Sequence, residues 1–532
     1  MHRRPPFSYL TGFGLAADTG RMKSKVSRRL TEGTAAEVTE NIYGPRLAKD
    51  FPAVFEHLND VNQAHLLMLR GVDLIPQDEA AQLAAALAKI ETEGMAEVPL
   101  DPSIEDAYFN YEAYLMEVAG SHVGGYLHMA RSRNDILATM DRMRAREMAL
   151  QLIDALGTVR RSALEGARLH GETVMPGYTH LQPAQPITYG FYLCAIAEAL
   201  SRDIERVRQV ERIIDLCPLG ACALAGTSFP IDREATARML GFGGVVPHAL
   251  DAVASRDFAM ELLSAMAICA VGWSRFAQDY FVWCTHEFGL IDFPDRVAGT
   301  SSIMPQKKNP VVLEYLKGKA GHLLGLLGAS LSTIKGVNFS HTGDGNREGM
   351  RSFWEAGEEC LRSLRLLDLV VRSATPNAEG MLRRVRRDFS SATDLADLMV
   401  RKCGLSFRES HHVVGAVVRQ AMDRSLGADE VDLAMVNAAA SEQLGAPLDL
   451  SEEEVRASLD PLASVAGRVV VGGPAPSRLK ERISQLEAIA AADQEANDAR
   501  RNRFTEARQG LKTSIRRLAL SKTVQRQPET VG

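Results

Sequence analysis

Three short segments carry most of the side chains in this sequence that could do chemistry. They cover residues 131–135, 176–186 and 300–310. In the first two, polar residues offer N-cap side chains and Pro186 suits the first turn of a helix. In the third, Asn309 can cap a helix that Pro310 opens. The pattern predicts three polar loops that each lead into the N-terminus of a long helix.

The residue types in these loops favour binding of a small dianion. A helix N-terminus presents unpaired N–H groups and about half a positive charge, so several of them around one cavity attract carboxylate or phosphate. Arg133 and Lys307 would add full positive charges. His180 and Ser301 are the side chains there that can transfer a proton. The neutral hydrogen-bonding candidates are Asn134, Thr179 and Asn309.

Each segment alone also has an ordinary structural interpretation. A polar run before a helix is most often a cap, and a single histidine such as His180 is most often a hydrogen-bonded structural residue. The functional interpretation therefore depends on finding all three segments together. The sequence contains no glycine-rich phosphate cradle, CxxC pair or HExxH, which disfavours nucleotide, zinc and hydrolase chemistry.

Composition narrows the class of protein. The 532 residues contain 61 Lys and Arg against 67 Asp and Glu, a net charge of −6 that argues against nucleic acid as the main partner. Aromatic residues make up only 6%, and abundant Ala and Leu favour helices. The longest charge-free stretches fall short of the roughly 20 residues that span a bilayer, so we expect buried helices and no membrane partner.

Apolar periodicity predicts an all-α chain with unusually long helices. These are expected over residues 135–169, 187–216, 255–283 and 311–335. All exceed the ordinary helix length of about 11–12 residues, which is typical of a helix bundle.

Changes in composition suggest five segments. They are a disordered leader over 1–45, an N-terminal helical domain over 46–130, a central long-helix domain over 131–388, a small C-terminal helical domain over 389–490 and a charged tail over 491–532. In the last part of the chain we expect one helix from residue 477 to about 492, followed by a charged, solvated helix and a frayed tail. The seven cysteines show no paired spacing, which predicts reduced thiols in a cytoplasmic protein and no metal site.

The three segments closely resemble the signature regions of the fumarase/aspartase superfamily, and specifically those of argininosuccinate lyases and the related δ-crystallins. The third segment carries the pattern Ser301-Ser302, Met304 and Lys307-Lys308-Asn309-Pro310. The resemblance extends from about residue 105 to residue 476.

This resemblance implies an all-α subunit of three domains whose five long central helices build a homotetramer through a 20-helix bundle. Each active site would take the three segments from three different subunits. The implied reaction is the cofactor-free elimination of fumarate from an N-substituted aspartate, a small dicarboxylate substrate.

The resemblance also assigns roles. The residue that matches Ser301 removes the Cβ proton, and the residue that matches His180 helps protonate the leaving nitrogen or orients a water. The substrate-binding residues would be Ser132, Arg133, Asn134, Thr179, Gln182, Lys307 and Asn309.

The stretch over residues 341–349 departs from the family pattern. Argininosuccinate lyases carry Tyr, Gln and Lys there to contact the amino-acid part of the substrate, and the ungapped counterparts are His341, Asn346 and Gly349. His341 and Asn346 are therefore candidate substrate contacts, although His341 could equally face solvent.

Three hypotheses follow. The first is an argininosuccinate lyase of arginine biosynthesis, and the second is a relative that releases another amine, as in ethylenediamine-disuccinate lyases. The third is a non-catalytic δ-crystallin-like protein. A plain fumarase or aspartase is a further alternative.

Overall fold

A computed structural model describes residues 29, 30 and 32–521 of the chain. The predicted disorder of residues 1–28 and 31, and the predicted fraying of residues 522–532, lie outside the described residues. The helices of five or more residues are α1 Gly44–Gly71, α2 Gln77–Glu93, α3 Ala107–Ala119, α4 Ser121–Gly125, α5 Arg133–Leu169, α6 Tyr189–Ile214, α7 Arg233–Met239, α8 Ala249–Ala254, α9 Asp257–Trp283, α10 Val311–Ile334, α11 Gly349–Ser373, α12 Ala378–Arg387, α13 Ala392–Cys403, α14 Phe407–Asp423, α15 Leu433–Leu444, α16 Glu452–Leu459, α17 Pro461–Gly467 and α18 Pro476–Leu520.

Strands are few and short. They are β1 Val174–Thr179, β2 Gln182–Thr188, β3 Leu216–Cys217, β4 Gly244–Val245, β5 Ile291–Asp292, β6 Gly299–Thr300, β7 Lys308–Asn309 and β8 Thr375–Pro376. The pairs β1–β2, β5–β8 and β6–β7 are antiparallel, and β3–β4 is parallel. The all-α prediction is confirmed. The four predicted long helices are α5, α6, α9 and α10, each within two residues of its expected ends, and α11 is a fifth.

The chain divides into two compact units. The first contains Met1–Arg144, Asp215–Ala254 and Arg503–Gly532, and the second contains Ala145–Ile214 and Ser255–Asn502. In the first unit, α1, α2 and α3 bury one apolar cluster that includes the fully buried Leu58 and Leu87.

The second unit has a larger apolar cluster. It takes side chains from α5, α6, α9, α10 and α11, and its aromatic group is Tyr189, Tyr192, Phe276, Tyr280 and Trp283. A separate apolar cluster joins α13, α14, α15 and α16. Capping boxes start α14 at Ser406 and α16 at Ser451, where a glutamate three residues later returns a hydrogen bond to the cap.

One helix within the described residues, α9, is long and apolar enough by length and composition to cross a membrane. In the structure 56% of its most apolar stretch is buried within the protein. Its Leu262, Leu263 and Ala270 belong to the apolar cluster of the second unit. The helix therefore packs as a core helix, as the charge-free stretch predicted.

The expected leader is helical over its last ten residues, which corrects that part of the prediction. An α-helical turn, Ala36–Val38, passes through a π-helical turn, Thr39–Tyr43, directly into α1. Residue 44 is a glycine whose added Cβ would lie 3.0 Å from the carbonyl oxygen of Thr39. This close approach of the backbone allows the segment to continue as one helix.

The helix predicted from residue 477 and the solvated helix predicted after residue 492 form one continuous helix, α18, which reaches Leu520. This helix differs from the prediction because part of it is buried. Arg508 forms ion pairs with Glu56 and Asp60 of α1 in the first unit. Leu511 and Ile515 are 3% and 1% exposed and belong to the same apolar cluster as α1 and α2. Burial of these two side chains explains why a charged, Arg-rich sequence stays helical.

We expect Leu511→Ala and Ile515→Ala each to lower the free energy of unfolding by about 2–5 kcal/mol, because each leaves a cavity in the core of the first unit. Leu520→Ala, at an 82% exposed position of the same helix, is the matched control and should be neutral. Urea unfolding followed by circular dichroism measures the difference. Equal stability of all three variants would contradict the buried position of the helix.

Candidate active site

The first predicted segment forms the start of α5 in the first unit. Ser132 acts as the cap: its Oγ accepts the N–H of Asn134 (3.3 Å), and its own N–H donates to Asp135 Oδ1 (2.9 Å). Asn134 also donates its amide to the carbonyl of Ala223 (3.0 Å). The helix begins at Arg133, two residues earlier than expected.

Asp135 organises this region through its second carboxylate oxygen. Oδ2 accepts the backbone N–H of Gly220 (2.9 Å) and of Cys222 (2.8 Å). Burial raises the pKa of Asp135 to about 6, against the lowering effect of its three backbone hydrogen bonds. One buried carboxylate therefore holds the helix start and the loop at residues 220–222 together.

The positive charge of Arg133 is compensated in this structure. Its guanidinium donates to Glu105 (2.6 Å), lies 3.4 Å from Asp106, and stacks 4.4 Å from the centre of the Phe109 ring. Partial burial opposes the charged form, but Asp106 and Glu105 together raise the pKa of Arg133. The guanidinium is thus held in place by acidic partners next to Asn134.

The second segment is a β-hairpin that leads directly into α6, so the predicted helix start at Pro186 was wrong. Pro186 lies inside β2, and α6 begins only at Tyr189, where Thr188 Oγ1 accepts the N–H of Phe191 (3.0 Å). The two-residue turn consists of His180 and Leu181.

Both turn residues have positive φ, 53° for His180 and 58° for Leu181. This geometry matches the twist of a tight hairpin, but it is strained for residues other than glycine and asparagine. Thr179, His180 and Gln182 are exposed at this end of the hairpin. The strained turn therefore presents the imidazole away from the core.

The third segment is also a hairpin, in which β6 and β7 bracket the loop at residues 301–307. Ser301 Oγ accepts the backbone N–H of Met304 (3.0 Å) and of Ile303 (3.4 Å). Asn309 lies in β7 and donates to the carbonyl of Thr300 (3.4 Å), so its predicted cap role was wrong. The N-cap of α10 is Pro310.

The two lysines of this loop have different surroundings. Lys308 Nζ lies 3.1 Å from Asp292 and 3.5 Å from Asp295, and these aspartates raise its pKa. Lys307 forms no ion pair within the described part of the chain. Lys307 is therefore the cation of this loop that an anionic ligand can use.

The divergent stretch over residues 341–349 is ordered and partly buried. Asn346 is 3% exposed, and its amide nitrogen has no hydrogen-bond partner among residues 32–521. A Cβ added at Gly349 would lie 2.6 Å from Ile334 Cγ1. A side chain at position 349 would therefore require Ile334 to move. His341, the first residue of this stretch, is half-buried.

The structure thus groups the candidates into separate sets. Thr179, His180 and Gln182 share one hairpin and Ser301, Lys307 and Asn309 another, both in the second unit. No hydrogen bond joins His180 to Ser301 in the described residues. Ser132, Arg133 and Asn134 lie at the helix start in the first unit.

Sequence reasoning missed the role of Asp135 and the acidic partners of Arg133. The spacing Ser132-x-x-Asp135 is close to a capping-box pattern and could have revealed the first of these. Within the described residues, no group of three or more His, Cys, Asp or Glu side chains is arranged to hold a metal ion.

Comparison with known proteins identifies the chemistry that this arrangement serves. Residues 37–325 match a family model described as lyase, and residues 389–466 match one described as argininosuccinate lyase C-terminal. The chain is 39% identical over 465 residues to argininosuccinate lyase 1 of Shouchella clausii, covering 87% of this chain and 93% of the relative. It is 41% identical over 436 residues to argininosuccinate lyase of Methanoculleus marisnigri, covering 81% and 87%.

Solved structures give a similar result. EDDS lyase in complex with formate superimposes with a TM-score of 0.82 at 32% identity, covering 92% of this chain and 97% of that chain. A variant of EDDS lyase with bound fumarate gives a TM-score of 0.81 with the same identity and coverage.

We expect Asp135→Asn to lower the free energy of unfolding by about 1–3 kcal/mol at pH 8, because the amide has one acceptor oxygen for three backbone N–H groups. Asp232→Asn is the control, since Asp232 is an exposed N-cap of α7 and asparagine caps equally well. Urea unfolding midpoints of the two variants test this. An equal loss in both would contradict the special role of Asp135.

Proposed function

The chain belongs to the argininosuccinate lyase family, and on that premise we propose that it cleaves argininosuccinate to arginine and fumarate. The observation that carries this proposal is its 39% and 41% identity to two argininosuccinate lyases over more than four-fifths of the chain. The reaction would place it in arginine biosynthesis. We also propose that it acts in the cytoplasm, in keeping with seven free cysteines.

The surroundings of Ser301 support its role as the base. A serine hydroxyl is a weak base unless its oxyanion is stabilised. The N–H groups of Ile303 and Met304 point at Oγ, and the uncompensated Lys307 lies in the same loop. Hydrogen bonds to the charged form favour that form, so this loop favours a reactive alkoxide.

The proposed step balances as follows. The Ser301 alkoxide takes the Cβ proton of the succinyl group, and the electron pair left on Cβ is delocalised into the adjacent carboxylate. That pair then forms the carbon–carbon double bond of fumarate as the Cα–N bond breaks. His180 supplies the proton that the leaving nitrogen needs, directly or through a water. Lys307, Asn309 and Thr179 hold the carboxylates by charge and hydrogen bonds, with Arg133, Asn134, Ser132 and Gln182 as further contacts.

A second candidate substrate is an N-substituted aspartate with a different amine. Two observations favour it: a side chain at position 349 would require Ile334 to move, and the buried amide nitrogen of Asn346 has no hydrogen-bond partner among the described residues. EDDS lyase, which is 32% identical to this chain, has a name that refers to EDDS instead of argininosuccinate. Incubating the protein with fumarate and a panel of amines, and measuring adduct formation, distinguishes the two substrates. Adducts with arginine alone would exclude this alternative.

We expect Ser301→Ala to lower kcat for fumarate release from argininosuccinate by about 10²–10⁴-fold, because the proton acceptor is lost. Ser302→Ala, which removes the neighbouring hydroxyl of the same loop, should retain most activity. Absorbance of fumarate follows the reaction. Equal activity of Ser301→Ala and the wild type would exclude Ser301 as the base, and turnover by the wild type would exclude a purely structural protein.

We further propose that the protein is a homotetramer whose active sites combine segments of different subunits. One face of α10 carries Gly318, Gly321, Gly325 and Gly328, all exposed with open space above each. The same region exposes apolar side chains: Ile268 and Val271 on α9, and Tyr315, Leu324 and Leu331 on α10. Glycines allow close approach of a second helix, and burial of the apolar side chains stabilises it.

We expect Leu324→Glu to dissociate the tetramer and to lower activity in parallel, because a charge would enter the proposed helix interface. Met422→Glu, at a 64% exposed apolar position of α14, is the control and should leave the assembly intact. Sedimentation velocity measures the subunit number. A wild-type monomer with full activity would contradict shared active sites.

A further inference from the structure

A cavity of about 640 Å³ lies beside α12, and none of the residues assigned above to the reaction lines it. Its walls are the loop at residues 286–289 and one face of α12, all within the second unit. The ionisable side chains that line it are His286, Glu287, Arg383, Arg384, Arg387 and Asp388. Three arginines and a histidine thus face two acids.

The sequence of α12 explains this charge. Met381, Leu382 and Val385 are its apolar residues, and Val385 packs against Val174 of β1 and Val465 of α17. Arg383, Arg384 and Arg387 are spaced by one, three and four residues, so they project from the other side of the helix.

A glycine makes room on that face. Gly380 lies one turn before Arg384, and its N–H donates to the side chain of Asn377, which caps the helix (3.0 Å). A Cβ at position 380 would lie 2.5 Å from the Asn377 amide nitrogen. The Asn377 side chain therefore occupies the space over Gly380, and a side chain at position 380 would displace this helix cap.

Arg384 is fixed, whereas its two neighbours are not. Arg384 donates to the carbonyl of Glu287 (3.1 Å) and stacks 5.4 Å from the centre of the Phe288 ring. Arg383 and Arg387 only approach exposed carboxylates, Glu379 at 3.7 Å and Glu430 at 3.8 Å. Such surface pairs are weak, so both guanidinium groups can turn towards a ligand at little cost.

The two acids of the cavity are outnumbered by its three arginines. Asp388 Oδ1 accepts hydrogen bonds from the backbone N–H of Ser390 (3.0 Å) and from the hydroxyl of Ser390. Burial raises the pKa of Asp388. Glu287 is exposed and faces solvent on one side. The cavity therefore keeps an excess of positive charge.

We propose that this cavity binds a phosphate dianion, either free or carried by a small organic molecule. Guanidinium groups match phosphate oxygens in pairs, and a phosphate concentrates close to two negative charges on three acceptor oxygens. Arg383 and Arg387 would bind the phosphate oxygens. Arg384 would hold the loop at residues 286–289 in place through its contact with Phe288. The volume exceeds that of phosphate alone, which leaves room for an organic group.

The ligand would lie next to β1, the strand that ends just before His180. Tyr178, two residues before His180, contacts Phe288 with ring centres 6.0 Å apart. Burial raises the pKa of the Tyr178 hydroxyl, and the nearby Arg384 opposes that rise. Arg384 and Phe288 are therefore shared between the cavity and the base of the hairpin.

Isothermal titration calorimetry with inorganic phosphate, adenosine monophosphate and fumarate tests the proposal on the full-length protein. We expect phosphate or adenosine monophosphate to bind, and Arg383→Gln/Arg387→Gln to weaken that binding at least tenfold. Tighter binding of adenosine monophosphate would assign an organic phosphate, and equal binding would assign free phosphate. Circular dichroism and retained fumarate release confirm that the variant is folded.

Arg362→Gln/Arg372→Gln is the matched control, since both arginines are exposed on α11 and each forms an ion pair with a carboxylate four residues earlier in the helix. It should leave phosphate binding unchanged. The proposal is overturned if neither phosphate compound binds, if the control loses binding to the same extent, or if fumarate displaces the phosphate. Because binding is measured without turnover, this outcome is independent of whether argininosuccinate is the substrate.

Discussion

The positions of the two hairpins in the second unit depend on one interaction. This interaction is the burial of apolar side chains along the long helices of that unit. The helices α6, α9, α10 and α11 share one apolar cluster with the second half of α5. The β1–β2 hairpin immediately precedes α6, and the β6–β7 hairpin immediately precedes α10. Reactive side chains on short turns are positioned well only when the adjoining elements are rigid.

Backbone N–H groups carry much of the electrostatics of this protein. Asp135 uses three of them to join a helix start to a neighbouring loop, and Ser301 receives two at its hydroxyl oxygen. Fixed dipoles of this kind need no reorganisation when charge develops. A chain with a net charge of −6 can therefore create local positive potential without a basic surface.

Charge compensation also separates residues that look alike in the sequence. Lys307 and Lys308 are adjacent, yet among the described residues Lys308 alone of the two forms ion pairs with carboxylates. Arg133 belongs to a motif whose family resemblance predicts substrate binding, yet in this chain its guanidinium forms ion pairs with Glu105 and Asp106. Which cation is available to a ligand depends on neighbours that are distant in sequence or lie on another element.

The sequence by itself determined the all-α class, the long helices and the reactive side chains, because apolar periodicity and residue chemistry are local properties. It did not determine that residues 174–188 form a hairpin with His180 at positive φ. A proline just before a predicted helix, such as Pro186, is equally compatible with the first turn of that helix. It also predicted a solvated helix after residue 492 and missed that this helix buries Leu511 and Ile515 in the same apolar cluster as α1 and α2. Only the tertiary structure decided these points, since the hairpin depends on the pairing of β1 with β2 and the burial of Leu511 and Ile515 depends on contacts with residues far away in the chain.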